Sequence, residues 1–310
     1  MSRIRIPVAF ILLALIWGSS FLFIRIAVRQ ITPLDLVTLR VFFGSVGIAV
    51  IALVRRADLR MPKRAIGLLI VIASVNTTIP FLLISWGEVS INSGLAAVLN
   101  STTPIFSLLI AHVYLHDEPI TGPRLGGVIV GFLGVLILLS NSMAGAGVQW
   151  DHLAGEAAVV AASAFYGIGA VMIRRSLRDV APITTSTWVL WISTLQCIIL
   201  SLVFNPVPLG SLHGDTLFAA IWLGLLGSAV AYVLYYFLIT NWGASHATLV
   251  TYVVPAIGLV LGALFLSEVV TWRVVAGFAL IVGGIGMASF LGPRRSQREQ
   301  SRDERAVTAS

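Results

Sequence analysis

Side chains able to do chemistry are few in this sequence, and their spacing excludes more than it offers. The 310 residues include one cysteine, Cys197, and five histidines that form no ligand cluster, so no internal disulfide and no metal centre is expected. No glycine-rich phosphate loop closing on Lys-Ser or Lys-Thr is present, which argues against ATP-driven work by this chain alone. A serine nucleophile would need a tight glycine turn and a histidine within reach. The nearest sequence, Gly224-Leu225-Leu226-Gly227-Ser228-Ala229, lacks the glycine after serine, and the candidate base His246 falls at a loop edge. His112 has no companion, and paired intramembrane aspartates are missing. The expectation is a protein that is not an enzyme and carries no cofactor.

What remains is binding chemistry, concentrated where proline interrupts a hydrophobic run. Pro104 and Pro255 each stand near the middle of such a run. A proline frees the carbonyl four residues before it, here that of Asn100 and of Thr251. Helical spacing places Ser93, Ala97, Asn100, Pro104 and Ser107 on one face, and Thr248, Thr251, Pro255, Gly258 and Gly262 on its counterpart. Either these faces wall a solute cavity, or their polar groups join helices at roughly 0.6 kcal/mol each. Trp17, in mid-run, has Tyr166 as its counterpart in the second half, and each is either a substrate platform or simple packing. Asn76, followed by Thr77, Thr78 and Pro80, faces either the same cavity or a neighbouring helix. The substrate-binding candidates are therefore Trp17, Asn76, Asn100, Pro104, Tyr166, Thr248, Thr251 and Pro255.

Charges within the hydrophobic runs are the other candidates. A central Arg costs about 2.5–3.5 kcal/mol on insertion scales, so Arg25 and Arg40 are expected to snorkel or to pair with a carboxylate. Asp35, Glu88, Glu156 and Glu268 are the carboxylates expected on the same side. We expect Arg25, Arg40, Glu88 and Glu156 to form structural ion pairs or a gate, with capture of a substrate carboxylate or phosphate by an arginine as the sharper alternative. No Asp, Glu or His lies at the expected centre of a run, so exchange or facilitated diffusion fits better than proton coupling.

The elements that must position these residues are membrane spans. With 58% hydrophobic and 11% charged residues, the chain cannot bury its apolar surface in a soluble core. Ten spans are expected, at 8–28, 34–54, 66–87, 94–115, 122–140, 154–173, 183–203, 217–238, 245–266 and 272–291. The first is read as a retained helix and not as a signal peptide. Glu118, Thr121, Gly127 and Gly134 recur 150 residues later as Glu268, Thr271, Gly277 and Gly284. The fold expected is all-α and integral to the membrane, in two five-helix repeats at 1–140 and 154–292, joined by an outer linker at 141–153. An odd number of spans per repeat inverts the second half, the arrangement that supports alternating access. Small residues in the fifth span (Gly126, Gly127, Gly131, Gly134) and the tenth (Gly277, Gly283, Gly284, Gly286) are expected to pack within the bundle.

The net charge of +7 is explained by topology. Arg3, Arg5, the basic cluster in 55–64, Arg124, Arg174, Arg175, Arg178 and the tail arginines would share one side, while Arg29 and Arg273 take the other. By the positive-inside rule both termini are cytoplasmic and no nucleic-acid partner is implied. Residues 293–310 read as a disordered basic tail that could rest on anionic lipid.

Trp17-Gly18-Ser19-Ser20-Phe21, Arg40, the run Tyr114-Leu115-His116-Asp117-Glu118-Pro119-Ile120-Thr121 and its echo Phe265-Leu266-Ser267-Glu268-Val269-Val270-Thr271 resemble the EamA domain of the drug/metabolite transporter superfamily. The resemblance covers both halves, about residues 8–291. It implies secondary transport of a small molecule across a bacterial-type inner (plasma) membrane, frequently efflux of amino acids or other metabolites. The uncharged polar and aromatic candidates favour a small polar or amphipathic solute over a highly charged one, and the resemblance implies an amino-acid-like one. A non-transporting polytopic receptor or scaffold is the alternative. The partners expected are that solute and the lipid bilayer, with homo-oligomerisation left open.

Overall fold

In a computed structural model the described residues are 2–61, 65–114, 121–143, 149–177, 179–204, 213–242, 247 and 249–290, and they are helical apart from short connections. Thr248, Glu118, His246 and the basic tail, all singled out above, lie outside the described residues. Eight helices are long and apolar enough to cross a bilayer. Two further apolar helices of 10–17 residues occupy the C-terminal stretch.

The elements in chain order are α1 (Ser2–Ala27), α2 (Pro33–Val54), α3 (Ile66–Ser90), α4 (Ser93–Tyr114), α5 (Gly122–Met143), α6 (Trp150–Ser176) and α7 (Pro182–Phe204). Then come α8, in three continuous pieces (Gly214–Ile221, Trp222–Val230, Ala231–Trp242), α9 (Val250–Leu266) and α10 (Trp272–Phe290). Local chemistry explains the ends. Thr32 caps α2 by accepting from the Asp35 amide at 3.2 Å, its hydroxyl donates to the Asp35 carboxylate at 2.8 Å, and Pro33 takes a position where its missing N–H costs nothing. α9 ends on Ser267 in the left-handed conformation (φ 54°), which turns the chain back so that Glu268 can reach α4.

Two helices are not regular. α3 carries a π-helical turn at Ser74–Thr78 and α8 a longer one at Trp222–Val230. In the latter Ser228 donates to the Leu223 carbonyl five residues back. α4 is broken: its halves Ser93–Asn100 and Thr103–Tyr114 meet at a turn on Ser101 and Thr102, directly ahead of Pro104. A continuous span was expected there, and the difference follows from the clash of the proline ring with the preceding turn.

Many polar side chains are buried beside the apolar core, while many large apolar ones face outward. Ser19, Thr38, Arg40, Thr77, Glu88, Ser93 and Thr187 are buried, while Leu53, Val113, Leu136, Leu202, Phe204 and Leu264 are exposed. That distribution suits lipid as the surrounding solvent. Trp86, Trp150 and Trp272, near helix ends, are at least half exposed, as interfacial tryptophans are.

Packing follows a regular scheme. α1 lies against α8 and α9, and α6 against α3 and α4. α2 pairs with α7, the first half of α4 with α9, and α5 with α10. The α5–α10 pair meets glycine on glycine: a Cβ on Gly134 would stand 2.7 Å from the Gly277 carbonyl, and one on Gly127 or Gly284 would overlap the opposite backbone. Gly127, Gly134, Gly277 and Gly284 thus pack within the chain, as expected, whereas a Cβ on Gly283 or Gly286 would meet nothing within 4 Å.

Candidate functional site

Trp17, Asn76, Asn100, Pro104, Tyr166, Thr251 and Pro255 line one cavity of about 310 Å³ between the two halves of the chain. The cavity walls also include Phe81, Ser101, Thr103 and Tyr232, which the sequence did not single out for this role. Each candidate is placed by a distinct local device. Asn76 stands on the π turn of α3 and rests on Gly169 of α6, where a Cβ would come within 2.6 Å of its Oδ1. Only glycine leaves that space. Trp17, in α1, has its ring 5.4 Å from that of Tyr235 in α8. Next to it, a Cβ on Gly18 would come 2.6 Å from the Ile257 Cβ of α9, so the backbone beneath Trp17 is held tightly.

At the break in α4 the freed backbone is not open to solute. The Asn100 carbonyl accepts from the Thr103 hydroxyl at 2.8 Å and from Ser163 of α6 at 3.3 Å. Ser163 also lies 3.4 Å from the Asn100 Oδ1. The proline therefore shapes the wall without supplying a binding carbonyl. Pro255, by contrast, sits inside a helix that continues through it.

The arginines depart from expectation. Arg25 donates to the main-chain carbonyls of Glu88 and of Val89, the latter at 2.9 Å, and not to a carboxylate. The α3 C-terminus presents unpaired carbonyls, and a cation is favoured there. Arg40 is also without a carboxylate within salt-bridge distance among the described residues. Its guanidinium carbon lies 3.7 Å above the centre of the Phe81 ring, at the cavity wall. Its Nε is buried without a hydrogen-bond partner. Glu88 is fully buried, and neither carboxylate oxygen has a hydrogen-bond partner among the described residues. Glu156 is buried on α6.

The remaining carboxylates considered as partners have other work. Asp35 belongs to the α2 cap. Glu268 accepts from the Ser93 amide at 2.9 Å, the Ser93 hydroxyl at 3.0 Å and the Gly94 amide at 3.0 Å, capping the N-terminus of α4 from the α9–α10 connection. Its place in the internal repeat was the available signal, but a repeat marks a position without naming its contact.

The cavity is not isolated. Thr103, Pro104, Ala170 and Thr251 also line a second cavity of about 450 Å³, whose wall includes Arg124, Arg174 and Tyr252. Arg124, Arg174 and Ala288 stand near helix ends, so the second cavity lies toward one end of the bundle. The opposite end is stitched by the Arg25 contacts, the Glu268 cap, and Ser90 donating to the Asp151 carbonyl at 2.9 Å. Gln30 adds a bond to Asp215 at 2.8 Å.

A polar and aromatic chamber inside an apolar bundle is the anatomy of a carrier. The model of the EamA-like transporter family matches residues 5–140 and again 153–290. The chain belongs to the EamA-like transporter family. Membership makes it a multi-pass membrane transporter of a small molecule and not an enzyme. Among its relatives, the "Uncharacterized transporter YoaV" of Bacillus subtilis is 26% identical, over 94% of this chain and 99% of the relative. The "Probable terminal-alkyne amino-acid exporter" of Streptantibioticus cattleyicolor is 25% identical, over 93% and 95%. The "Probable amino-acid metabolite efflux pump" of Escherichia coli is 23% identical, over 89% and 91%. A solved crystal structure, 18% identical, aligns with a TM-score of 0.66 over 93% of this chain and 98% of the other, which shows a shared fold.

Proposed function

We propose that this EamA-like protein is a secondary transporter that moves a small, amino-acid-like metabolite across a bacterial-type inner membrane by alternating access, in the direction of export. The observation that carries the reading is a chamber walled by both halves of the chain, which shares wall residues with a second cavity toward one end of the bundle, while hydrogen bonds join the helices at the other. Its volume is near the lower end of the roughly 300–1,000 Å³ typical of small-molecule sites, in keeping with a cargo of metabolite size. Two relatives whose names mention amino acids or their metabolites favour the substrate class and the direction.

Ten spans in two inverted repeats are the architecture of this proposal. Exchanging α1 with α6, α2 with α7, α3 with α8, α4 with α9 and α5 with α10 maps the packing scheme onto itself, and the π turns of α3 and α8 fall on exchanged helices. With both termini cytoplasmic, the second cavity, walled by Arg124 and Arg174, lies toward the inside, and the stitched end faces outside. Candidate binding residues are then Trp17, Asn76, Asn100, Tyr166 and Thr251, with Thr248 adjoining on the sequence, and Pro104 and Pro255 as wall shapers.

The test is counterflow in proteoliposomes with radiolabelled amino acids and related metabolites, comparing the intact protein with Asn100→Ala and Thr251→Ala. Saturable exchange reduced several-fold by both substitutions, in protein that remains monodisperse, is expected. Exchange indifferent to both would move the site elsewhere, and its complete absence in the intact protein would favour a receptor or scaffold.

A further inference from the structure

A guanidinium buried at the wall of a polar chamber with an unpaired Nε is an unfinished arrangement. Arg40 is 7% exposed, its Nε has no hydrogen-bond partner, and no carboxylate among the described residues lies within salt-bridge distance. Its one described close partner is the face of Phe81. Tyr166 and Tyr232 stand within electrostatic reach across the chamber, and Glu88 does so from outside the lining without forming an ion pair. A buried charge is retained against its desolvation cost only when something pairs with it. Five N–H donors in a planar fork match the two oxygens of a carboxylate, and stacking on an aromatic ring holds the fork in one plane.

We infer that Arg40 is the anion anchor of the central chamber and that the cargo therefore carries an oxyanion, specifically a single carboxylate. The inference rests on the transport reading above and narrows it. Charge count chooses between oxyanions. Among the residues described as lining this chamber, Arg40 alone is charged. One guanidinium neutralises a monoanionic carboxylate, whereas a phosphate monoester would bring about −1.5 to −2 charges into a chamber with one counter-charge. The rest of the wall sorts the remainder of the molecule: Trp17, Tyr166 and Phe81 offer flat apolar faces, and Asn76, Asn100 and Thr251 offer uncharged hydrogen-bonding groups. The inference also explains why the second half has no matching arginine. A cargo with one carboxylate needs one anchor, and a twofold pair would leave a cation unpaired.

The test uses matched solutes on the full chain in detergent and in liposomes. 4-Methylpentanoate, 3-phenylpropanoate and L-leucine are compared with their amides, with the amines that lack the carboxylate, and with phenyl phosphate, which has no ammonium to offset its charge, as the phosphate arm. Thermal unfolding reports binding, and counterflow reports transport. The acids are expected to raise the unfolding midpoint and to exchange, with amides and amines weaker by roughly tenfold or more. Arg40→Lys should weaken the acids, because an ammonium keeps the charge without the fork, and Arg40→Gln should abolish their effect. Without solute, Arg40→Gln should unfold no earlier than the intact protein, since it removes an unpaired buried charge. An unliganded midpoint several degrees lower would mark a structural role and overturn the inference. So would amides that match acids, a response to phosphate alone, or acid exchange undiminished in Arg40→Gln, each of which leaves transport standing. No binding and no exchange of any panel member by the intact protein would overturn the transport reading itself.

Discussion

At the scale of the residue, two arginines that look alike in sequence have opposite fates. Both interrupt hydrophobic runs, and both were expected to snorkel or to pair with a carboxylate. Arg25 instead closes on the carbonyl end of α3, and Arg40 lies on Phe81 at the chamber wall. Their substitutions should therefore separate. Arg25→Met removes charge-assisted hydrogen bonds worth roughly 1.5–3 kcal/mol each and strands the carbonyls of Glu88 and Val89. Its unfolding midpoint should fall by several degrees in calorimetry of the reconstituted protein, where that of Arg40→Gln should not. An unchanged midpoint for Arg25→Met would mean that the α3 end finds other donors. What was legible here was cost: the sequence marked both positions as needing partners. It could not say which, because a carbonyl at a helix end and an aromatic face leave no charge pattern to read.

At the scale of the element, the clearest device is a carboxylate that starts a helix belonging to another part of the chain. Glu268 holds the first amides of α4, and Ser267 is bent into the left-handed region to aim it. Gly94 and Gly262 leave the room: a Cβ on Gly262 would meet the carboxylate, and one on Gly94 would stand 2.9 Å from Leu259. Loss of a helix cap costs about 0.5–2 kcal/mol, and here the cost falls on one end of the carrier. Glu268→Ala should favour opening at that end. Ala97→Cys, buried behind α9, then becomes faster to label with an impermeant maleimide added from the Glu268 side. An unaltered labelling rate would show that the cap only orders α4. Helix existence was readable from hydropathy throughout. The break at Ser101 and the π turns were not: Ser74–Thr78 and the residues around Ser101 are polar, but polarity within a span reads equally as a cavity wall or a helix contact and says nothing of backbone register. Pro104 located the first irregularity, and nothing comparable stands in Trp222–Val230, whose glycines and serine are ordinary for a membrane helix.

At the scale of the molecule, the chamber is assembled from residues far apart in sequence, and the repeat is what made its outline legible. Asn100 and Thr251, or Pro104 and Pro255, could be paired by their equivalent places in two halves, and all four reach one cavity. Phe81 and Tyr232 also stand at equivalent places in the two halves, each five residues after Asn76 and Gly227, but an aromatic residue in a membrane run reads equally well as packing, so only the three-dimensional arrangement brings them in. The helices that wall the chamber must change their mutual packing if it is to open at its other end. α5 and α10 contribute no residue described at its lining, and they meet backbone to backbone with no side-chain layer between their central glycines. A seam of that kind has no rotamers to exchange and little thickness to shear. On the proposed alternating-access reading such a pair acts as a keel: it gives the rocking helices a fixed bearing in the bilayer and takes little part in their motion. Tying it should then be harmless. A Cβ on Gly126 would stand 3.5 Å from the terminal methyl of Met287, so cysteines at these two positions are placed to be cross-linked. That link should leave counterflow at the rate of the untied protein, whereas one joining α4 to α6 should arrest it. Carriers built this way can tolerate stiffness at their flank because their compliance is stored beside the cargo.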